Sequence, residues 1–399
     1  MEKKQNILKY RERLDQTLAL PDLVSENSVK ALINHQLLHS SPCEIEGDLG
    51  DVVQRRTTEV SHFLQMLRSS SGNKSEATKT HGISNSDWKI KKDNDQHRIM
   101  YREGPQGTPF HTMLIEGYVD GPIDMCLCVG WEATLFEKWW PQFSVPPFKI
   151  ISSTCLKKIR IGEEISLVRV KVPWPMTTRE SVLHTFELEY FQDDLIVVLM
   201  NTVSDTEHVE MRTHGFTRNG IPEAGDIVRI DLVGGFALQK VSSNGTYFRT
   251  ILNMDMKIEF VPPTLINFIS RQLLGSGFKL YRKIVTSAAS GDEDFSKALQ
   301  GPLYVRVREG FNSHNRGKEI KAADDEKSKD EIGEDDAVEP AEAHKAVINH
   351  AFLGEIKEED TEEVIHLEVD QSMNNFRRCQ FPEPRHVNNA SCSPSPKEE

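Results

Sequence analysis

The sequence lacks the features that mark secreted, membrane-spanning and disulfide-stapled proteins. Its 399 residues contain only six cysteines, and their spacing matches neither a disulfide framework nor a zinc site, so reduced thiols are expected. No apolar run approaches the 18 residues that a transmembrane helix needs, and the opening MEKKQNILKY has no apolar core of the secretory type. These absences predict a cytoplasmic protein.

Catalytic and cofactor motifs are missing as well. There is no G-x-S-x-G elbow and no phosphate-cradling G-x-x-x-x-G-K, and the Gly-Ser-Gly at 275–277 lies inside a helical pattern instead of after a strand. Cys126 and Cys128 are two residues apart on a predicted helix, so they point to different faces, and no Cys/His pair follows at zinc spacing. We therefore expect no cofactor, no metal and no enzymatic activity.

Basic charge is also scarce, and the net charge of −13 is concentrated at one end. Residues 311–399 hold 22 acidic and 11 basic residues, which leaves 39 acidic and 37 basic residues for the rest of the chain. A near-neutral body without a basic footprint argues against a nucleic-acid partner. The acidic stretch is poor in aromatics and predicts a largely disordered tail, whose protein partner the sequence does not identify.

The sequence divides into four parts. Residues 1–50 predict an N-terminal helical or flexible extension, with two helical pieces interrupted by Pro21. A leading helix and a polar linker follow at 51–84, a folded domain at 85–290 and the acidic tail at 311–399. Within the domain the pattern reads as three strands, a helix, about six strands and a long helix, which predicts an α+β fold.

Two predicted helices and one loop matter for function. Residues 122–140 are expected to form one long amphipathic helix with Pro122 at its first position, and 261–288 a long C-terminal helix behind a Pro-Pro start. Between two strands, the stretch KVPWPMTTRESV (171–182) places Trp174 between two prolines. Because proline cannot donate to a sheet ladder, the chain must leave the sheet there, and a large aromatic ring stands in the loop where it leaves.

Four segments in order carry a resemblance to a known family. They are WEATLFEKWWP, VPWPMTTRESV, GIPEAGDIVRIDLVGGFALQKV and RTILNMDMKIEFVPPTLINFISRQLLGSGFKLYRKI. Over residues 85–288 the chain resembles the START family, the steroidogenic acute regulatory protein-related lipid-transfer domains, and the run YREGPQGTPFHTMLIEGYVDGPIDMCLCVGWEATLFEKWWPQ looks like the plant single-domain members. The resemblance implies a helix-grip fold, in which a curved antiparallel sheet wraps around the C-terminal helix and leaves a lipid cavity beneath it.

The resemblance also implies roles for individual residues. Trp174 and Met176 would be apolar lid residues at the cavity mouth, facing a ligand or a membrane, and Arg179 with Glu180 would match the family's Arg-acid pair, expected as a salt bridge that fixes the lid loop. Thr185 stands where some sterol-binding members carry an arginine, so a charged contact to the ligand is lost. The residues expected to line the cavity are Leu183, Thr185, Leu265, Phe268, Ile269 and Leu273.

The function expected is lipid binding or transfer between membranes without catalysis, with transient membrane contact. The ligand would be a phospholipid, a sterol or another apolar molecule. One alternative is an enzyme of the related polyketide cyclase/aromatase type, with His184 and Glu187 as the acid–base groups, although strand alternation places these two on opposite faces. A second alternative is a ligand sensor whose lid closure recruits a protein partner.

Overall fold

Ten β-strands form one sheet in the part of the chain that the structure describes. The structure is a computed structural model, and the residues that it describes are 2–40, 49–70, 88–103, 110–143, 148–172, 177–255, 257, 274–289 and 291–327. The order across the sheet is β1-β2-β3-β10-β9-β7-β6-β5-β4. Every neighbouring pair in this order is antiparallel, while the short β8 pairs in parallel with β6. The strands are β1 (Lys89–Asp93), β2 (His97–Glu103), β3 (Phe110–Val119), β4 (Lys149–Arg160), β5 (Glu163–Lys171), β6 (Arg179–Tyr190), β7 (Leu195–Thr202), β8 (Val228–Arg229), β9 (Asp231–Ser242) and β10 (Gly245–Asp255).

Helices lie on both faces of this sheet. They are α1 (Glu2–Leu18), α2 (Pro21–Val24), α3 (Glu26–Ser40), α4 (Gly50–Arg68), α5 (Ile123–Trp131), α6 (Met211–His214), α7 (Gly275–Ala288), α8 (Glu293–Ala298) and α9 (Pro302–Lys327), with 3-10 turns at Ala133–Lys138 and Phe191–Asp193. Over the described ranges, no helix combines the length and the apolar character needed to cross a membrane.

The outer face of the sheet is the one covered by α1–α4. The N-terminal extension is helical as predicted, and its apolar side is buried against the strands instead of extending into solvent. The ion pairs beneath it are also buried, since the Arg249 guanidinium binds Glu116 at 2.7 Å and Asp15 of α1 at 2.6 Å. The buried residues of this layer include Leu14, Leu18, Leu23, Val29, Ile33, Phe63, Leu64, Leu114, Phe186, Val197, Tyr247 and Ile251.

The inner face of the sheet is the one covered by α5 and α7–α9. Phe278 of α7 stacks on Phe248 of β10, with ring centroids 5.6 Å apart. A Cβ at position 117 of β3 would lie 2.8 Å from the Phe278 ring, so the glycine there allows the helix to approach the sheet closely. The predicted α+β class and antiparallel sheet are therefore confirmed. The predicted C-terminal helix is confirmed for residues 275–288, whereas 261–273 lie outside the described residues.

The single helix predicted over 122–140 is wrong. Helix α5 ends at Trp131, because Glu132 leaves helical geometry with φ −71° and ψ 89°, and a 3-10 turn continues in a new direction. Pro122 precedes the first helical residue instead of occupying it. A contact from a distant helix stabilises this break, since the Tyr304 hydroxyl of α9 donates to a Glu132 carboxylate oxygen at 2.7 Å.

The predicted boundary of the disordered tail, residue 311, is also wrong. Helix α9 runs to Lys327, and Phe311 is 3% exposed, with its ring 4.8 Å from that of Phe191. Helices α8 and α9 complete the core on the inner face with buried apolar side chains, whose burial composition alone does not predict. These are Phe295, Leu303, Tyr304, Val307 and Phe311. Residues 328–399 lie outside the described residues.

Replacement of Phe311 by alanine should test whether α9 belongs to the folded domain. We expect Phe311→Ala to lower the free energy of unfolding by about 3–5 kcal/mol, since large-to-small changes in a core cost that much. Val305→Ala on the more exposed side of the same helix should cost well under half of this, and truncation after Lys327 should leave Tm within about 2 °C of the full chain. Equal losses for Phe311→Ala and Val305→Ala in denaturant unfolding would contradict the placement of α9.

Candidate functional site

Strand β6 presents its even- and odd-numbered residues to opposite faces of the sheet. Leu183 lies opposite Ser166 of β5 and Thr202 of β7, and Thr185 lies opposite Glu164 and Met200. Directly opposed residues point to the same side of a sheet, and Met200 packs with the core of the inner face. Leu183 and Thr185, both 6% exposed, therefore face inward as predicted.

Polar side chains gather on the inner face of β4–β6. Ser153 and Ser181 each lie opposite Val168, and one row further along Ser166 lies between Cys155 and Leu183. We call the inward residues Ser153, Cys155, Glu164, Ser166, Ser181 and Thr185 the polar strip. The inner face of the other strands is mostly apolar instead, with His97 of β2 as a polar exception. Its apolar residues are Ile99, Ile115, Ile196, Val198, Phe236, Leu238 and Phe248. The inner face is thus amphipathic, with its polar end under β4–β6.

Glu164 is the charged member of the polar strip. Burial raises the pKa of its carboxyl to about 7, and the neighbouring Glu132 carboxylate adds to the increase. The Ser166 hydroxyl donates to Glu164 at 3.1 Å and partly offsets the rise in pKa. Burial also raises the pKa of the Cys155 thiol to about 11, so the thiol stays protonated at neutral pH. The strip therefore holds neutral groups and one carboxyl that is only partly ionised at pH 7.

The aromatic pair Trp139 and Trp140 stands beside the strip. It follows the 3-10 turn that packs on β4, and Trp139 meets the Tyr281 ring of α7 edge-on at 5.6 Å. The Tyr281 hydroxyl donates to the carbonyl of Cys126 at 2.6 Å, which ties α7 to α5. The pair therefore lies between the sheet and the C-terminal helix.

His97 lies beneath α7 at the apolar end of the inner face. Its ring is 5.8 Å from that of Phe278, and the side chain is almost completely buried. Burial lowers the pKa of His97 to about 4, and the charges of Lys92 and Lys279 lower it further. The imidazole is therefore neutral at pH 7.

Arg179 and Glu180 do not form the expected salt bridge with each other, and each binds other residues instead. Adjacent residues of a strand point to opposite faces, so Glu180 meets Arg169 at 2.7 Å and Arg229 at 2.9 Å on one side. On the other side, the Arg179 guanidinium donates to the Thr177 carbonyl at 2.9 Å and to its hydroxyl at 2.8 Å. Both residues hold the chain at the end of the loop, but not through each other.

The structure separates the two residues of the enzymatic alternative. His184 faces outward, where its Nε2 lies 2.8 Å from Glu163 and 3.1 Å from Arg56. Glu187 faces inward with its neighbour Val198, and burial raises the pKa of its carboxyl well above the usual range. The two residues therefore lie on opposite faces of the sheet, as strand alternation predicts.

Other predicted site residues fall outside the described residues. They are the lid residues Trp174 and Met176 and the helix residues Leu265, Phe268, Ile269 and Leu273. Conversely, the sequence analysis missed Ser153, Ser166, Ser181 and Glu164. Alternation along β6 would have placed Ser181 on the same face as Leu183, but Ser153 could not be assigned, because β4 carries bulges that shift its alternation. In the described part of the chain, no group of three histidine, cysteine or acidic side chains is arranged to hold a metal ion.

Comparison with known proteins gives similarity to solved structures only. No protein-family profile and no curated protein matches the chain. Human StAR-related lipid transfer protein 5 overlaps with 61% of this chain and 100% of its own, at 15% identity and a TM-score of 0.46. Human STARD10 overlaps with 54% and 82% of the two chains, at 12% identity and a TM-score of 0.40. A StAR-related lipid transfer protein fragment from Xanthomonas axonopodis overlaps with 50% and 98%, at 20% identity and a TM-score of 0.37.

Glu164→Gln should reveal the cost of a buried carboxylate on the inner face. The folded-state pKa of Glu164, about 7, lies above its ordinary value of 4.5, so its contribution to stability is full below pH 4.5 and is lost as the pH rises through 7. At pH 8 the variant should be more stable than the parent by up to about 3 kcal/mol, and at pH 4 the two should be alike.

Denaturant unfolding at both pH values measures this difference. Glu137→Gln, at an exposed carboxyl of the adjoining 3-10 turn, serves as the control and should give the same small change at each pH. An equal effect of Glu164→Gln at pH 4 and pH 8 would show that the carboxyl is not held in a desolvated site.

Proposed function

We propose that this protein binds a lipid between the inner face of its sheet and its C-terminal helix, and that it carries the lipid without chemical change. The observation that supports this is the amphipathic inner face. It offers an apolar surface of aliphatic and aromatic side chains next to a polar strip, and both are buried. A lipid has the same division, with an apolar chain and a polar head.

The energetics are consistent with this proposal. Removing roughly 300 Å² of apolar surface from water is worth about 7 kcal/mol at the usual area coefficient. Binding of that strength needs a closed apolar site and a few polar contacts, and it needs no catalytic group. Carriage would further require transient contact with a membrane, and we infer that the protein acts in the cytoplasm.

A cyclase/aromatase-type enzyme is the second candidate, and one observation favours it. Glu164 is an inward carboxyl whose pKa of about 7 suits a general acid or base. The histidine that could accompany it, His184, faces outward and is engaged by Glu163 and Arg56. Under our proposal Glu164→Gln keeps ligand binding and yields the same unmodified lipid, whereas an enzyme would lose conversion of its substrate.

Bulky substitutions on the inner face should abolish lipid uptake. Leu183→Trp and Thr185→Trp each add a large ring to a side chain that is 6% exposed and faces inward, so the space for a lipid chain is lost. We expect uptake of a fluorescent fatty-acyl lipid to fall at least about tenfold in both variants, which corresponds to about 1.4 kcal/mol. The measurement is a titration that follows the fluorescence of the bound lipid.

The control is Thr154→Trp, which adds the same ring at an exposed position on the outer side of β4. Its lipid uptake should equal that of the parent chain. Circular dichroism should show that all three variants keep the fold. Normal uptake in both inward variants would place the lipid elsewhere.

The loop residue Trp174 should affect transfer more than binding. Because proline cannot donate to a sheet ladder, we expect the two prolines that flank Trp174 to keep this segment out of the sheet. A tryptophan suits a membrane interface, because its ring is apolar while its N–H stays hydrated. We expect Trp174→Ala to slow lipid exchange between vesicles several-fold while the affinity for loaded lipid changes less. A loss of about 3–5 kcal/mol of stability with normal transfer would instead identify a core tryptophan.

A further inference from the structure

We propose that the polar strip, together with Trp139 and Trp140, binds an uncharged head group with ester or hydroxyl oxygens, so that the ligand is a neutral glyceride-like lipid. This inference rests on the proposed function and names the ligand class for the same site. It is carried by four buried polar atoms that the protein itself leaves unpaired.

These four atoms are Ser153 Oγ, Ser181 Oγ, Trp139 Nε1 and Trp140 Nε1. Each is buried, and each lacks a hydrogen-bond partner within the part of the chain that the structure describes. Both serine side chains are more than nine-tenths buried. Because buried polar atoms are nearly always paired, a group of four unpaired atoms on one side of the sheet calls for an explanation, and a ligand that pairs with them supplies one.

The positions of the serines fit one small head group. Ser153 and Ser181 flank Val168 on neighbouring strands, so they share a row and a face. Strands lie about 4.8 Å apart, which puts the two serine Cα atoms roughly 10 Å apart with one valine between them. A three-carbon polyol with its ester groups spans such a distance. The tryptophans follow the 3-10 turn that packs on β4, the strand of Ser153.

The chemistry of the donors selects acceptor oxygens. An indole N–H can only donate, and a serine hydroxyl can donate or accept. The ligand must therefore present several acceptors, as ester carbonyls and hydroxyl oxygens do. A plain hydrocarbon would leave all four atoms unpaired.

The charges near the strip disfavour an anionic head group. None of the six strip residues is a cation. Lys158 lies opposite Glu164 on the same face, but its side chain is exposed on the edge strand β4, and its charge already acts on the Glu164 carboxyl, whose pKa it lowers. Arg179, which lies opposite Val170, donates with its guanidinium to Thr177. A phosphate moved into this site would lose its hydration without gaining a dedicated cation, and burial of a charge without a partner is costly.

The experiment compares the double variant Ser153→Ala/Ser181→Ala with the control Ser152→Ala. Ser152 is the neighbour of Ser153 in sequence but pairs with Arg169 on the opposite side of the sheet. The probes are a diacylglycerol, a phosphatidylcholine and a methyl-terminated alkane, each carrying the same fluorescent chain. Affinities of the full-length protein for the three probes are measured by titration.

We expect the parent chain to prefer the diacylglycerol over both other probes. The double variant should bind diacylglycerol about 10- to 100-fold more weakly, as the loss of two or more buried hydrogen bonds predicts, with little change for the alkane. Ser152→Ala should match the parent. The ligand-free double variant should unfold at the same or a higher temperature, because it loses two unpaired hydroxyls.

Three results would overturn the inference, and they differ from failure of the proposed function. The first is an unchanged preference for diacylglycerol in the double variant, and the second is a parent chain that prefers phosphatidylcholine. The third is a marked drop in the unfolding temperature of the ligand-free double variant, which would show that the hydroxyls serve the fold. Lipid carriage stands in all three cases, whereas failure of the parent to bind any of the three probes would refute the proposed function itself.

Discussion

The arrangement of the site depends on one buried ion pair, that of Arg56 with Glu163. The guanidinium of this α4 residue reaches one Glu163 oxygen with its Nε at 3.1 Å and with a terminal nitrogen at 2.7 Å, and neither side chain is exposed. Arg160 lies 2.7 Å from the other oxygen, and His184 of β6 approaches from the next strand. Removal of one partner from such a pair costs about 3–5 kcal/mol, because the other charge stays buried. The pair thus fixes helix α4 to the first residue of β5 and, through His184, holds β6 beside it.

Fixing the outer face of these strands fixes the inner face too. A shift of β6 by one residue would move His184 inward and Thr185 outward, and the ion pairs of the outer face would be broken. The outer network therefore acts on the site at a distance, since it keeps Leu183, Thr185 and the serines of the polar strip on the inner face of the sheet. The same network makes His184 unsuited to acid–base catalysis. Its Nε2 is already engaged by Glu163 and Arg56, which hold the register of β6.

The sequence predicted those parts of the fold that depend on local pattern. The antiparallel strands follow from the sequence pattern, and the structure agrees. The inward face of Leu183 and Thr185 was implied by the family resemblance instead, and both residues lie on the inner face. The break at Glu132 was not predictable locally, because its hydrogen-bond partner Tyr304 is 172 residues away. The same holds for Phe311, whose burial depends on Phe191, and for the strip, whose members on three strands become neighbours only through register and bulges.

What remains is why a folded domain would keep such a strip at all. A core built for stability alone would fill these positions with apolar side chains, because an unpaired buried hydroxyl or N–H costs free energy. It would also avoid Glu164, whose pKa of about 7 records the cost of burying its charge. The inner face of β3, β9 and β10 follows that rule, whereas the inner face of β4–β6 departs from it, as does the single residue His97 of β2, whose two ring nitrogens are buried without a partner among the described residues. A region that departs from the rule followed by the rest of the same sheet is better explained by a bound ligand than by folding, and the polarity of its atoms indicates the polarity of that ligand.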